Sequence, residues 1–187
     1  MKKIIFLSLL ALTILLTSFA NTAFSHSYHY EIQISTELYS VKNQLTGLRM
    51  NWLYDEDVSS VMTQDQTDLN KLKDKLISDL ASLAYFTELK INGKVEALGK
   101  ATNVSLVKKG DALELSFSLP LKKPVTVKRG TTLNLNHADP GSIAIIYYDQ
   151  ASDVIVNGPL KKQCKPTVKE KGDFKEGEFP QLVNIYC

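Results

Sequence analysis

Residues 28–39 read YHYEIQISTELY, a stretch in which apolar and polar side chains alternate. Tyr30, Ile32 and Ile34 share one face of an extended chain, whereas Glu31 and Gln33 share the other. Two residues is the period of a β-strand, so the stretch predicts a strand with one buried and one exposed face.

The same alternation recurs along much of the chain. It returns in LTGLRMNWLYD (residues 45–55) and in TTLNLNHAD (residues 131–139). Asn92-Gly93 and Gly110-Asp111 each separate two strand-like segments, and both dipeptides are typical of hairpin turns. GSIAIIYYD (residues 141–149) is more fully apolar, which predicts a central strand.

One segment has a different period. In residues 66–86, QTDLNKLKDKLISDLASLAYF, leucines recur at steps of three and four, which places them on one stripe of a helix. We expect the acidic residues 55–57 to form a loop that leads into this helix, where they favour its dipole.

These patterns predict a mainly β fold of the α+β class, with about seven to nine strands. The expected architecture is an antiparallel β-sandwich-like sheet with one long amphipathic helix packed on it. Residues 157–187 are rich in glycine, proline and lysine. They predict an irregular tail held by a disulfide.

Residues 1–25 have the features of an export signal. Lys2 and Lys3 precede the apolar run IIFLSLLALTILL, and Ala23-Phe24-Ser25 supplies small residues where a signal peptidase cleaves. We expect cleavage after Ser25, a periplasmic location, and one mature domain over residues 26–187. An uncleaved N-terminal anchor is the alternative.

The charge balance of the chain gives little information about its partners. The chain has 22 basic and 20 acidic residues, and two of the lysines lie in the predicted signal. The remainder is balanced, so composition predicts neither nucleic acid nor an anionic membrane as a partner.

The two cysteines, Cys164 and Cys187, predict a disulfide, since an isolated pair in an exported chain is usually oxidised. It would contribute about 3 kcal/mol to the free energy of unfolding on the chain-entropy model. A thiolate metal site is the alternative, but the CxxC spacing is missing.

The histidines are the first candidates for chemistry. Cleavage after Ser25 would make His26 the first residue, whose α-amine and imidazole can chelate one metal ion, and His29 follows three residues later. Zinc, nickel, cobalt and copper all accept imidazole. Two incidental histidines at a chain end are the alternative.

Three further residues are weaker candidates. His137 and Asp139 lie two apart on a predicted strand, so they could present an imidazole and a carboxylate to one ion. Asp55 could supply an oxygen ligand. The structural alternatives are a core histidine at a strand end, a turn at Asp139-Pro140 and an acidic helix start.

The sequence gives little support for an enzyme, because it has no phosphate loop, HExxH motif or nucleophile elbow. An N-terminal copper site with oxidase activity is one alternative that the histidines leave open.

The order of several motifs is similar to that of a known family. After the histidine pair come IQISTEL, TGLRMNWLYDED, the helix, YFTELKINGK, LELSFSLPLKKPV and ADPGSIAIIYYD. The chain resembles, over about residues 26–164, the periplasmic family of unknown function found beside NicO-type nickel/cobalt permeases. That family includes ZevA-like subunits of zinc transport systems.

The resemblance assigns roles to particular residues. The family's mature chain typically begins His-Pro-His; here His29 resembles the second histidine, and His26 the first, displaced by one residue and without the proline. Trp52, Asp55 and Glu56 resemble its tryptophan and acidic pair, and Asp139-Pro140 its later Asp-Pro.

The function that the resemblance implies is a periplasmic zinc-binding accessory subunit, which would deliver metal to an inner-membrane NicO/ZevB-type permease or gate it. Nickel or cobalt could replace zinc. A periplasmic scaffold that docks on the permease without binding metal is the alternative.

Overall fold

The computed structural model describes residues 30–64, 67–175 and 177–187. The predicted signal, His26 and His29 therefore lie outside the described residues. Within them the chain forms two β-sheets and two helices. No helix in these ranges is long and apolar enough to cross a membrane.

The first sheet has six strands in the order β5–β6–β2–β1–β8, and β9 also pairs with β1. All pairings are antiparallel except those of β8 and β9, which run parallel to β1. Its strands are β1 (Tyr30–Val41), β2 (Gln44–Tyr54), β5 (Thr102–Lys109), β6 (Ala112–Thr126), β8 (Ala144–Tyr147) and β9 (Val154–Val156).

The second sheet has five strands in the order β10–β11–β7–β3–β4, all antiparallel. Its strands are β3 (Thr87–Ile91), β4 (Lys94–Val95), β7 (Thr132–His137), β10 (Lys165–Glu170) and β11 (Gln181–Tyr186). The described residues thus form eleven strands, more than the sequence patterns predict.

The core lies where apolar side chains of both sheets are buried together. Trp52 and Phe117 come from the first sheet, and Leu89, Leu135 and Ile185 from the second; all five are at most 1% exposed. The alternation in β1 is confirmed, because Ile32, Ile34, Thr36 and Leu38 are buried and the residues between them are not. The mainly β, sandwich-like fold is therefore as predicted.

The predicted helix with the leucine stripe is confirmed, and a second helix that was not predicted precedes it. Helix α1 (Glu56–Gln64) begins directly after β2, where a loop was expected, and packs against β6. Helix α2 (Leu69–Ser82) carries the leucine stripe and packs against β5. Asp68 caps α2, since its carboxylate accepts from the backbone N–H of Asn70 at 3.0 Å.

A left-handed turn follows α2. Ala84, Tyr85 and Phe86 have φ values of 50°, 55° and 51°. This region is unfavourable for residues that carry a Cβ atom. The turn places the buried Tyr85 ring 5.8 Å from Phe117, and the Tyr85 hydroxyl accepts from Ala101 N at 2.9 Å. Those contacts hold the strained backbone in place.

Two expectations about the second half of the chain are also wrong. Residues 144–147 form β8 at the edge of the first sheet rather than a central strand, because β1 receives β8 on one side and β2 on the other. Residues 157–187 are not irregular: they supply β10 and β11, and β11 lies between β10 and β7. The predicted disulfide Cys164–Cys187 is present.

Candidate functional site

The start of β1 is the point nearest in sequence to the predicted N-terminal ligands. Tyr30, the residue after His29, pairs with Ala144, and its backbone N–H donates to Ile143 O at 3.2 Å. On the other side Ile32 pairs with Tyr54, the last residue of β2. The start of β1 therefore lies between the β7–β8 loop and the β2–α1 junction.

Asp55 occupies that β2–α1 junction. Its Oδ1 accepts from the backbone N–H of Val58 at 2.8 Å, so it is the N-cap of α1. The residue is exposed, and it lies close enough to Tyr147 to affect that hydroxyl. The sequence left both a capping role and a ligand role open; the structure gives the capping contact directly.

Three carboxylates gather around Tyr147 at this end of the first sheet. Partial burial raises the pKa of the Tyr147 phenol, and the negative charges of Glu31, Asp149 and Asp55 raise it further. Glu31 lies at the start of β1 and Asp55 follows the neighbouring end of β2, whereas Asp149 follows β8, which runs parallel to β1 and ends at Tyr147 opposite Gln33. The start of β1 is therefore an acidic end of the molecule.

Asp139 lies at the same end but has a structural role. Its Oδ1 accepts from Gly141 N at 2.8 Å, and its Oδ2 accepts from the N–H groups of Ile143 and Ala144, each at 3.0 Å. The side chain is 8% exposed. Both oxygens fix the turn that starts β8, as the structural alternative for Asp139-Pro140 predicts.

His137 is buried among polar partners. Its Nε2 lies 2.7 Å from the Tyr148 hydroxyl, and its Nδ1 lies 3.2 Å from Thr87 Oγ1. Burial lowers the pKa of His137 to about 3, against a smaller raising effect of the Phe86 backbone. The ring is therefore neutral near pH 7, and both nitrogens are engaged inside the protein.

These contacts continue as a chain of hydrogen bonds between the two sheets. The Tyr148 hydroxyl lies 2.7 Å from Thr36 Oγ1 on β1, and the Thr87 hydroxyl donates to Tyr85 O at 2.7 Å. Thr36 Oγ1 also donates to Met50 Sδ at 3.3 Å, and which of the other groups donates along this chain depends on the His137 tautomer. We call Thr36, Tyr148, His137 and Thr87 the buried relay.

The sequence holds one signal for the buried relay that pattern reading missed. Thr36 interrupts the apolar face of β1 at an inward position, where it is 1% exposed. A buried hydroxyl requires a partner, so a polar residue at such a position indicates a polar contact across the core. The partner, Tyr148, lies more than a hundred residues away and cannot be identified from β1 alone.

Trp52 belongs to the core rather than to a site. It is fully buried, and its ring stacks on Phe86 with centroids 6.1 Å apart. Among the described residues its Nε1 has no hydrogen-bond partner. The position that resembles the family's tryptophan therefore joins β2 to the left-handed turn.

A hollow of about 690 Å³ lies beside the left-handed turn. Its wall is mostly apolar and includes Leu89, Leu98 and Val95, with Lys100 and Lys122 also present. The volume is typical of a small-molecule site. Its lining includes Glu88 and Glu96 but no histidine, cysteine or aspartate.

Within residues 30–64, 67–175 and 177–187, no group of three or more His, Cys, Asp or Glu side chains is arranged to hold a metal ion. The ring nitrogens of His137 and the carboxylate of Asp139 each contact other groups of the fold. His26 and His29 are not among these residues, so the prediction that rests on them is untested.

Comparison with known proteins places the chain in a family. A family model described as a protein of unknown function, DUF1007, matches residues 9–175. This chain belongs to the DUF1007 family. A Haemophilus influenzae relative, described as an uncharacterized protein, is 29% identical over 170 residues, which cover 84% of this chain and 80% of the relative. No solved structure matches.

The DUF1007 match includes most of the residues described above. It spans His26, His29, Asp55 and the whole buried relay, and it ends before β11. The last part of this DUF1007 chain nevertheless supports the relay, because the Gln181 side chain accepts from Tyr148 N at 2.7 Å and donates to Tyr148 O at 2.9 Å.

Proposed function

We propose that this DUF1007 protein is a periplasmic zinc-binding accessory subunit of a metal transport system, which delivers metal to an inner-membrane NicO-type permease or gates it. The sequence support is His26 and His29 directly after the predicted cleavage site, together with the ordered motifs that resemble ZevA-like subunits. Nickel, cobalt and copper could be bound by the same nitrogen ligands.

The observation that carries the proposal is the acidic end. His29 is the residue before Tyr30, which begins β1; Glu31 is the next residue of that strand, and Asp55 follows the neighbouring end of β2. Negative charge attracts a divalent cation, and a carboxylate can complete an imidazole site for zinc. The proposed ligands are the His26 amine and imidazole, the His29 imidazole and a carboxylate such as that of Asp55.

Two of the sequence candidates are left out of this ligand set. His137 would have to break its bonds to Tyr148 and Thr87, and Asp139 would have to release three backbone N–H groups. An unpaired buried group costs about 1–3 kcal/mol, so metal binding by either residue would oppose the fold.

The disulfide supports the proposed location. Cys164 and Cys187 are joined, and such bonds persist mainly in oxidising compartments such as the periplasm. The bond closes the end of the chain that carries β10 and β11, so export into an oxidising compartment also favours the fold.

The decisive experiment is zinc titration of the exported protein by calorimetry, with native mass spectrometry to define its first residue. We expect one zinc ion per chain, and loss of tight binding in the His26→Ala/His29→Ala variant without a change in thermal unfolding. Unchanged zinc affinity in that variant would remove this site.

A substitution at Asp55 can distinguish a role as a zinc ligand from a role as the N-cap of α1. Asparagine is as good an N-cap as aspartate but lacks the negative charge, so Asp55→Asn should keep the stability of α1 and weaken zinc binding. The matched control is Glu56→Gln, which removes a neighbouring charge that the proposed site does not use.

The second candidate function is a scaffold that docks on the permease without binding metal. The observation that favours it is the engagement of His137 and Asp139 inside the fold. Specific binding to the permease by protein that retains no zinc would support this alternative.

A further inference from the structure

The end of the molecule opposite Tyr30 is formed by connections that carry lysine and arginine. The β1–β2 turn contains Lys42, and the β6–β7 connection contains Lys128 and Arg129; all three are exposed. The two connections touch, because Val127 N donates to Asn43 O at 2.8 Å. This hydrogen bond therefore places the β1–β2 turn beside the β6–β7 connection.

A third basic segment joins them. Gly158–Lys162 forms a short helical turn, and the hydroxyl of Ser40 donates to Asn157 O at 2.9 Å just before it. Lys161 and Lys162 are exposed on this turn. The turn therefore lies beside the far end of β1.

Lys165 begins β10 at the same end. It pairs with Tyr186, which in turn pairs with Thr132 at the start of β7. Cys187 O accepts from Gly130 N at 2.9 Å, which closes this corner against the β6–β7 connection. Both sheets therefore contribute to one surface.

We call this surface the basic end. Its members are exposed, and within the described part of the chain none of them pairs with a carboxylate. The segments 41–43, 127–131 and 158–165 contain no aspartate or glutamate. The basic end consists of Lys42, Lys128, Arg129, Lys161, Lys162 and Lys165.

The opposite end has the opposite sign overall. Glu31 and Asp55 lie there, and their negative charges contribute to the raised pKa of Tyr147. Basic residues at that end lie close to carboxylates: Lys109 on β5 is 3.5 Å from Glu114, and Lys171 pairs with Glu178. Positive and negative charges nearly balance over the whole chain, although they are distributed unevenly between the two ends of the molecule. Composition alone therefore predicts no anionic partner.

We propose that the basic end is a docking surface for anionic phospholipid headgroups. Five of its six charges are lysines, whose ammonium groups are compact point charges on flexible stems. Such groups suit phosphates spread over a surface, and clusters of four to eight basic residues are typical of anionic-lipid contacts. The residues stand on turns and at a strand end rather than in a groove, so they fit a broad surface better than a single peptide.

This surface has a consequence for orientation. A membrane that holds the basic end leaves the acidic end, and the start of β1, directed toward the aqueous compartment. The inference goes beyond the proposed metal site and does not depend on it, because no member of the basic end is a proposed ligand.

The test is vesicle flotation with the exported chain. We expect binding to vesicles of phosphatidylethanolamine with phosphatidylglycerol and none to vesicles of phosphatidylcholine. Binding should be lost at about 1 M salt, where the Debye length falls to about 3 Å. Replacing Lys128, Arg129, Lys161 and Lys162 with alanine should weaken it by roughly tenfold or more.

The control variant removes the same number of charges elsewhere. Lys71, Lys108, Lys169 and Lys175 are exposed and lie outside the basic end, so their replacement with alanine should leave most of the binding intact. Equal weakening by both variants would overturn the proposal, since it would mean that total charge is what matters.

Two other results would also overturn it. One is the absence of binding to anionic vesicles. The other is salt-sensitive head-to-tail association of the chain in sedimentation experiments, with vesicle binding unchanged in the basic-end variant. That result would assign the basic end to the acidic end of a second copy.

Discussion

At the scale of single residues, the buried relay determines what His137 can do. Each ring nitrogen lies within hydrogen-bonding distance of a hydroxyl, Nδ1 of Thr87 and Nε2 of Tyr148. A second proton on the ring would place a positive charge in a fully buried position, and burial lowers the pKa of His137 for that reason. The sequence showed an imidazole two residues from a carboxylate, and only the fold shows that each serves different partners.

The Tyr148 hydroxyl is the middle of the relay. Tyr148→Phe keeps the ring but removes the hydroxyl that Thr36 and His137 Nε2 share, so we expect the free energy of unfolding to fall by about 2 kcal/mol. Urea unfolding at neutral pH measures this difference. Tyr147→Phe is the control, because its hydroxyl lies on the outer face of β8 and is not part of the relay; a similar loss there would contradict the argument.

The buried His137 predicts a dependence of stability on pH. Burial lowers its pKa to about 3, whereas the unfolded chain takes up the proton near pH 6.5. Proton uptake below pH 6.5 therefore favours the unfolded chain. This one group should lower the free energy of unfolding by about 1.4 kcal/mol per pH unit between those two values.

The measurement is urea unfolding of the wild type and of His137→Gln from about pH 7 to about pH 4. The variant should lose this contribution, so the two stability curves converge as the pH falls. Carboxylates affect both proteins alike and cancel in the comparison. A His26→Gln/His29→Gln variant is the control. Parallel curves for wild type and His137→Gln would contradict the prediction.

At the scale of elements, turns were the easiest features to predict. Asn92 and Gly93 both have positive φ, as a tight hairpin turn requires, and Gly110 has a φ of 66°. These dipeptides predict turns because their residues adopt positive φ values with little strain. Helix α1 was missed because its sequence, EDVSSVMTQ, has only three apolar residues, and its strongest start signal, Asp55, also suited a loop.

The left-handed turn could not be predicted, because Ala84, Tyr85 and Phe86 have no preference for positive φ. We expect Ala84→Gly to raise the free energy of unfolding by about 1 kcal/mol, since glycine adopts this conformation without strain. Ala81→Gly, in the last turns of α2, should lower it by about 1 kcal/mol. Thermal unfolding separates the two signs, and a loss in both would contradict the strained turn.

At the scale of the whole molecule, pairings between strands far apart in the sequence determine the strand positions that local patterns did not predict. The parallel pairing of β8 and β9 with β1 places residues 144–147 at an edge, although their composition predicts a centre. Residues 181–186 lie inside the second sheet, although the segment around them is rich in lysine, glycine and proline. The core face of β1 and the disulfide followed from local pattern and cysteine count alone.

The disulfide fastens the last strand to the rest of the molecule. Cys164 and Cys187 are separated by 23 residues, so the Cys164→Ser/Cys187→Ser variant should lose about 3 kcal/mol of stability. Thermal unfolding of the variant should match that of reduced wild type. If reductant lowered the melting temperature of the variant as well, the effect would not arise from this bond.

The position of β1 also governs the order in which the chain can fold. Chains are made from the N-terminus, so β1 emerges early, but Tyr30 pairs with Ala144 and Thr36 pairs with Val154. One edge of β1 in the β1–β2 hairpin therefore stays unpaired until these later segments have been synthesised. Folding should therefore be slow for a chain of this size, and a factor that shields the edge during the wait should raise the yield.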